Sequence, residues 1–192
     1  LPFDPSHADS ATIGGIVAAN SSGPRRQLYR LLRDSILGVR MVAPTGEIVG
    51  SGGKTVKNVS GYDVSKLALG SIGSLGILCE MTFKLLPLPE KMETLLISFK
   101  SFREATAFAE GLIETNLLPA SVEVMNQRAY SHLNMDGIPD FGPEGYVSAI
   151  ALESFEPAVK RMQMEIKEMA EAKGARSNAC LQEEKHLPFW LE

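Results

Sequence analysis

From Thr94 to Leu181 the sequence alternates strand-like and helix-like runs in a fixed order, and that order leaves few folds open. Thr94–Lys100 has a strand pattern, and Ser101 then opens a helix with Ala105, Phe108, Ala109, Leu112 and Ile113 at helical spacing. Glu104 sits where a capping box places its acid. Ser121–Met125, after Pro119, and Tyr146–Leu152 read as the next strands. Glu156–Lys173 is a second helix, closed by Gly174, with Val159, Met162, Ile166, Met169 and Ala170 along one face, and Ala175–Leu181 is a last strand. The β-α-β, loop, β-α-β order predicts an α+β unit of the split βαβ kind, the ferredoxin-like arrangement, with both helices on one face. The methionines on the second helix read as core packing, not as a cofactor contact. The loop from about Gln127 to Glu144, with Asn134, Asp136, Gly137, Pro139, Gly142 and Pro143, is long enough to be functional or disordered. His132 at its edge reads as a surface or structural residue.

Upstream the pattern differs, and the two prolines of Leu86–Lys91 mark the change, because they stop helix and strand alike. The expected division is therefore residues 1–89 and 90–192. In the first part, two apolar runs flank Pro44-Thr45-Gly46, a β-hairpin pattern whose second strand ends at Gly50–Gly53. Asn58–Asp63 is a further turn, with Asp63 placed to cap a short helix over Val64–Leu69 and Gly70 to close it. Ile77–Leu86 suits a buried strand.

The segment A-T-I-G-G-I-V-A-A-N-S-S-G-P, Ala11–Pro24, admits two readings. Gly14 and Gly15 lack a Cβ, so a planar or anionic ligand could lie against the main chain and take hydrogen bonds from N–H groups at the start of a helical turn. A plain helix start followed by a small-residue loop fits the same residues. The string is not G-x-G-x-x-G, so it gives no support to a Rossmann dinucleotide site.

Composition narrows the classes. With 44% hydrophobic and 22% charged residues among 192, and a net charge of -4, the chain reads as globular and not as a general nucleic-acid binder. Arg25, Arg26, Arg30 and Arg33 form its densest basic spot, which reads as a solvated face, with a phosphate or an acidic partner as the other option. Cys79 and Cys180 have no metal spacing and lie in apolar runs, so both are expected to be core thiols; with three His in the chain, no metal is expected. No apolar run is long enough to span a bilayer. The expected location is the cytoplasm, or the soluble part of a complex peripheral to a membrane. A start at Leu1-Pro2-Phe3-Asp4-Pro5, without Met, reads as a processed product or an internal piece.

Three separated strings then agree: A-T-I-G-G-I-V-A-A-N-S-S-G-P-R, R-D-S-I-L-G-V-R-M-V-A-P-T-G-E-I-V, and K-N-V-S-G-Y-D-V-S-K-L-A-L-G-S-I-G-S-L-G-I-L-C-E-M-T-F-K-L-L-P-L-P. Together, over Leu1–Pro89, they resemble the second half of the PCMH-type FAD-binding domain of the vanillyl-alcohol oxidase family, which includes FAD-binding subunits of glycolate oxidase and D-lactate dehydrogenases. The resemblance implies FAD as cofactor. It implies that Thr12, Ile13, Gly14 and Gly15 lie along the flavin, that Ala18, Asn20 and Ser22 line it, that Pro5 and Ser6 lead into the same loop, and that Ile77 packs near the adenine end. Residues from Thr94 onward look like the family's cap, which shapes a substrate pocket. The flavin would carry the redox chemistry and the protein would position it.

Departures accompany the match. The half of the family's domain that holds the FAD diphosphate has no counterpart before Leu1, so the chain alone is expected to be inactive. Relatives usually have Gly where this chain has Arg30, and lactate-type relatives usually have Glu where it has Ile72. The His-rich acid-binding string is absent. The leading expectation is part of an FAD-dependent oxidoreductase of a 2-hydroxy acid, glycolate or lactate-like, working with other subunits or with a missing N-terminal half. The alternative is a non-catalytic flavin-binding or assembly subunit. No catalytic base is nominated; Tyr62, Asp63 and His132 are the polar candidates, with Asp63 more simply a helix cap.

Overall fold

The computed structural model describes residues 1–53, 63–133 and 135–191, so Tyr62, most of the Asn58–Asp63 turn, and Asn134 lie outside the described residues. The chain divides into two compact units, Leu1–Pro87 and Leu88–Glu192.

The first unit runs α1 (Ile13–Ala19), α2 (Arg26–Tyr29), α3 (Leu32–Ser35), β1 (Ile36–Val42), β2 (Ile48–Gly52), α4 (Val64–Ala68) and β3 (Ile77–Phe83). Its antiparallel sheet has the order β2-β1-β3. The hairpin forms as expected: the Gly46 N–H bonds Ala43 O at 2.9 Å, and a φ of 86° at Gly46 explains why glycine stands there. Ile16 and Val17 of α1 pack with Leu32, Ile36, Val39, Met41 and Ala68 into one core. Asp63 occupies the N-cap position of α4, but its carboxylate accepts from the Ser65 hydroxyl and caps no N–H; the Val64 N–H donates to Ser51 Oγ at 3.0 Å.

β3 corrects the expectation of a buried strand ending at Leu86. It stops at Phe83, and among the described strands β1 alone pairs with it. Leu78, Met81 and Phe83 pack on the core, while Ile77 and Cys79 are exposed. Cys79 is therefore no core thiol, because strand alternation puts it opposite Leu78.

The second unit runs β4 (Lys91–Phe99), α5 (Phe102–Ile113), β5 (Ser121–Asn126), α6 (Gln127–Ser131), β6 (Tyr146–Ser154), α7 (Glu156–Ala172), β7 (Ser177–Leu181) and α8 (Glu183–Leu191). The strand order is β5-β6-β4-β7 with every pair antiparallel, the split βαβ topology the sequence pattern called for. The capping box of α5 closes: the Glu104 N–H donates to Ser101 Oγ at 3.3 Å, and Glu104 Oε2 accepts from the Ser101 N–H at 3.0 Å. Leu95, Ile97 and Phe99 of β4 and Ile150 and Leu152 of β6 meet Phe108 and Leu112 of α5 and Val159, Met162 and Ile166 of α7, so both helices cover the same sheet face.

Alternation sends Thr94 to the other face, where α8 lies. Neither α8 nor α6, inside the long loop, is expected from the sequence pattern. Cys180 is half-buried, not a core thiol: its strand is at the edge of the sheet, and its sulfur lies 3.2 Å from Gln163 Nε2 and 3.6 Å from Glu93 Oε2. Burial, then the Glu93 carboxylate, push its thiol up to about 11.

Candidate functional site

α1 begins where Thr12 turns from extended to helical backbone. Thr12 Oγ1 accepts from the Gly15 N–H at 3.1 Å and Thr12 O from the Ile16 N–H at 2.9 Å. Helix geometry leaves the N–H groups of Ile13 and Gly14 without an intrahelical partner. The helix ends at Asn20, whose left-handed backbone (φ 54°, ψ 42°) is one that asparagine tolerates.

A second segment runs beside this helix. The Gly70 N–H donates to Val17 O at 3.2 Å and the Ile72 N–H to Ala18 O at 2.9 Å. At the other end, the Gly14 Cα faces Leu78 O. Gly14 and Ala18 are one helical turn apart, so Gly70–Leu78 passes along one edge of α1 from its C-terminus back to its N-terminus.

This edge is open main chain. A Cβ built on Gly14 would meet nothing nearer than Leu78 O at 3.9 Å, and one on Gly73 would meet nothing within 4 Å. Gly15 differs, since its Cβ would press on Thr12 Oγ1 at 3.1 Å, so that glycine also protects the cap. Ile13, Ile72 and Ile77 are all exposed along the same two segments, more apolar surface than the core of this unit requires. A flat group with an apolar ring system and hydrogen-bond acceptors fits such an edge.

Thus Thr12, Ile13, Gly14, Gly15, Ala18, Asn20 and Ile77 come together. Ser22 does not join them with its side chain: it is buried, and its hydroxyl accepts from the Leu32 N–H at 3.2 Å. Pro5 and Ser6 lie on the Ser22 side, tied there by the Asp4 N–H to Ser22 O at 3.3 Å and by the buried Asp4 carboxylate, which holds Arg25 Nε at 2.9 Å. Arg25 is consequently no solvated surface residue, whereas Arg26, Arg30 and Arg33 are exposed. His132 is exposed, and no group of His, Cys, Asp and Glu suited to a metal occurs among the described residues.

Two features lie outside the sequence-based expectations: the placement of Ile72 and the polar cluster under α8. There His186 is fully buried, with Nδ1 3.0 Å from Thr94 Oγ1 and Nε2 3.1 Å from Glu153 Oε1, and Trp190 Nε1 donates to the same threonine at 2.9 Å. The run H-L-P-F-W-L was the available signal. A concavity of about 280 Å³ on the first sheet, lined by Gly38, Arg40, Gly50, Gly52, Glu80 and Thr82, follows from backbone demands. A Cβ on Gly38 would meet Gly53 N at 2.8 Å, and Gly52 has a φ of 79°.

Comparison with known proteins gives the class. Residues 88–192 match the family of FAD linked oxidases, C-terminal domain, and residues 1–66 match an FAD binding domain family. The chain belongs to the FAD linked oxidase family. It is 39% identical over 126 residues to the glycolate oxidase subunit GlcD of Bacillus subtilis, covering 66% of this chain and 27% of that protein. It is 46% identical over 90 residues to the glycolate oxidase subunit GlcE of Escherichia coli, covering 46% and 26%, and 37% identical over 117 residues to a D-lactate dehydrogenase of Anaerostipes hadrus, covering 61% and 25%. The chain thus spans about a quarter of the length of these curated relatives. A solved structure of alkyldihydroxyacetonephosphate synthase shares the fold, with a TM-score of 0.74 and 22% identity over 98% of this chain and 39% of that one. No helix among the described residues is long and apolar enough to cross a membrane.

Proposed function

We propose that this chain forms one wall of an FAD site in an FAD-dependent oxidoreductase that oxidises a 2-hydroxy acid, glycolate or lactate-like. The observation that carries the reading is the convergence of Thr12–Asn20 and Gly70–Leu78 into one bare, apolar-rimmed edge within a chain of the FAD linked oxidase family. Thr12, Ile13, Gly14, Gly15, Ala18, Asn20 and Ile77 would hold the cofactor, with Pro5, Ser6 and Ser22 supporting the loop that enters α1. Bound flavin supplies the oxidising group. The chain's own part is to offer main-chain donors at Ile13 and Gly14, to admit a flat ring where no Cβ intrudes, and to keep water from it with isoleucines. The residues from 90 onward serve as a cap domain beside the substrate.

The names of the glycolate oxidase subunits favour a second reading, a flavin-binding or assembly subunit that works with other subunits, in the cytoplasm or at a membrane surface. Replacing Gly14 tests the cofactor wall. Gly14→Val brings its Cβ to ordinary contact with Leu78 O at 3.9 Å and leaves the Thr12 cap intact. The intact protein carrying this variant is expected to fold with an unchanged circular dichroism spectrum and to lose its FAD. Full flavin content in the variant refutes the assignment.

A further inference from the structure

Arg26, Arg30 and Arg33, along α2 and α3, are exposed, and none of the three side chains has a hydrogen bond or ion pair to another described residue. Arg25 beside them is tied to the buried Asp4. Lys66 adds a fourth cation, its Nζ donating to Arg33 O and, at 3.0 Å, to Ile36 O. The one acid between Arg26 and Ser35 is Asp34, and its Oδ2 accepts from the Leu31 N–H at 3.3 Å. In a chain of net charge -4, this is a local reversal of sign.

The backbone at Arg30 is a second, independent sign. Its φ of 69° and ψ of −167° fall in a region that belongs to glycine, and a glycine would make the same turn without strain. Flanking bonds hold the turn in place: the Tyr29 N–H donates to Arg25 O at 3.1 Å, and the Leu32 N–H to Ser22 Oγ at 3.2 Å. Strain of this kind collects where a protein binds something. Within the described chain, nothing uses the Arg30 side chain.

We propose that Arg26, Arg30 and Arg33 form a docking surface for a carboxylate-rich face of a protein partner. Each guanidinium can pair with a planar carboxylate through two parallel N–H groups, and the bonded turn presents them in a fixed arrangement. A lipid surface suits the patch less well, because lipid-binding segments gather about four to eight basic residues. Only Leu31, at 46%, adds a large exposed apolar side chain between Arg26 and Ser35. The surface uses neither segment of the cofactor wall and stands apart from it.

A fluorescein-labelled glutamate-rich peptide serves as the probe, its binding to the intact protein read by anisotropy. The parent is expected to bind it, and added salt to weaken the binding. The triple variant Arg26→Ser, Arg30→Gly, Arg33→Ser should bind about tenfold more weakly, the scale of three exposed ion pairs lost together. Arg40→Ser, which removes an exposed arginine of β1 paired with Glu80 at 3.4 Å, should leave the affinity unchanged. Arg30→Gly alone should raise the melting temperature and still weaken the peptide, an opposition that a purely structural arginine would not produce.

Equal peptide binding by the parent and the triple variant overturns the proposal. So does equal weakening by Arg40→Ser, which would mark the binding as general attraction between charges. Vesicles of phosphatidylglycerol in phosphatidylcholine are the control for a membrane: retention of the parent on vesicles, with no binding of the peptide, assigns the patch to lipid and overturns it too. FAD content should be the same in every variant, so failure here leaves the cofactor wall standing.

Discussion

The cluster under α8 gives a stability prediction that can be worked from the structure. Thr94 Oγ1 accepts the Trp190 N–H at 2.9 Å, and its own proton is then free to go to His186 Nδ1 at 3.0 Å, which leaves Nε2–H to donate to Glu153 at 3.1 Å. This assignment of the histidine tautomer follows from the network and satisfies each of these contacts. Thr94→Val keeps the shape and removes the hydroxyl, so the buried indole N–H and Nδ1 both lose their partner. At about 1–3 kcal/mol for each buried polar group left unpaired, less some relaxation, the loss should be about 2–4 kcal/mol. Chain unfolding across two units need not be two-state, so a local probe is preferable. Trp190 is the single tryptophan, and its fluorescence reports this site directly during urea denaturation. Thr94→Ser, which retains the hydroxyl and loses one methyl, should recover most of the difference. Amide exchange should accelerate over Glu183–Leu191 in Thr94→Val and change little in Thr94→Ser. A Thr94→Val variant within about 0.5 kcal/mol of the parent, a change of ordinary surface size, refutes the reasoning, as does a Thr94→Ser variant equal to Thr94→Val.

Arg30 follows α2 with φ 69° and ψ −167°, a backbone region that belongs to glycine. Arg30→Gly is expected to raise stability by about 1 kcal/mol in thermal denaturation, and any loss of stability refutes the assignment of strain. The thiols should separate by reactivity: exposed Cys79 should react with a disulfide reagent at pH 8 well before Cys180, whose pKa is raised from 9.0 to about 11 by burial and by Glu93. Because that folded pKa lies above the unfolded one, the protonated thiol contributes stability that is complete below pH 9 and lost as the pH rises toward about 11. Cys180→Ala should flatten the stability profile in that window, and a profile unchanged from the parent refutes the coupling.

What was legible in the sequence were elements whose signals are local. Ser101 with Glu104, the Pro44–Gly46 turn and the apolar stripe from Val159 to Ala170 each act within a few residues, and each forms as its residues dictate. Less legible were features set by partners distant in sequence. Cys79 stands in an apolar run and is still exposed, because burial in β3 depends on which neighbours a strand finds and not on its own composition. Asp63 is in place to cap α4, but its carboxylate is engaged by the Ser65 hydroxyl and caps no N–H. α8 escaped because its apolar residues close over a polar cluster drawn from β4 and β6, so it has no clean amphipathic stripe.

The candidate site shows the same division in sharper form. Gly14 and Gly15 look alike on paper, yet one opens the edge and the other guards the Thr12 cap; only the fold separates them. The pairing of Thr12–Asn20 with Gly70–Leu78 rests on main-chain bonds to Val17 O and Ala18 O, which no side-chain pattern announces. Both segments, T-I-G-G-I-V-A-A-N and G-S-I-G-S-L-G-I-L, lack any ionisable residue. An edge of this composition can hold a flavin, orient it and exclude water from it, and it cannot take a proton from a substrate hydroxyl near neutral pH. Proton abstraction, in the oxidation proposed, must therefore fall to a group outside these two segments. Substitutions along the edge should accordingly change flavin content and flavin affinity, and leave the pH dependence of turnover per bound flavin where it was.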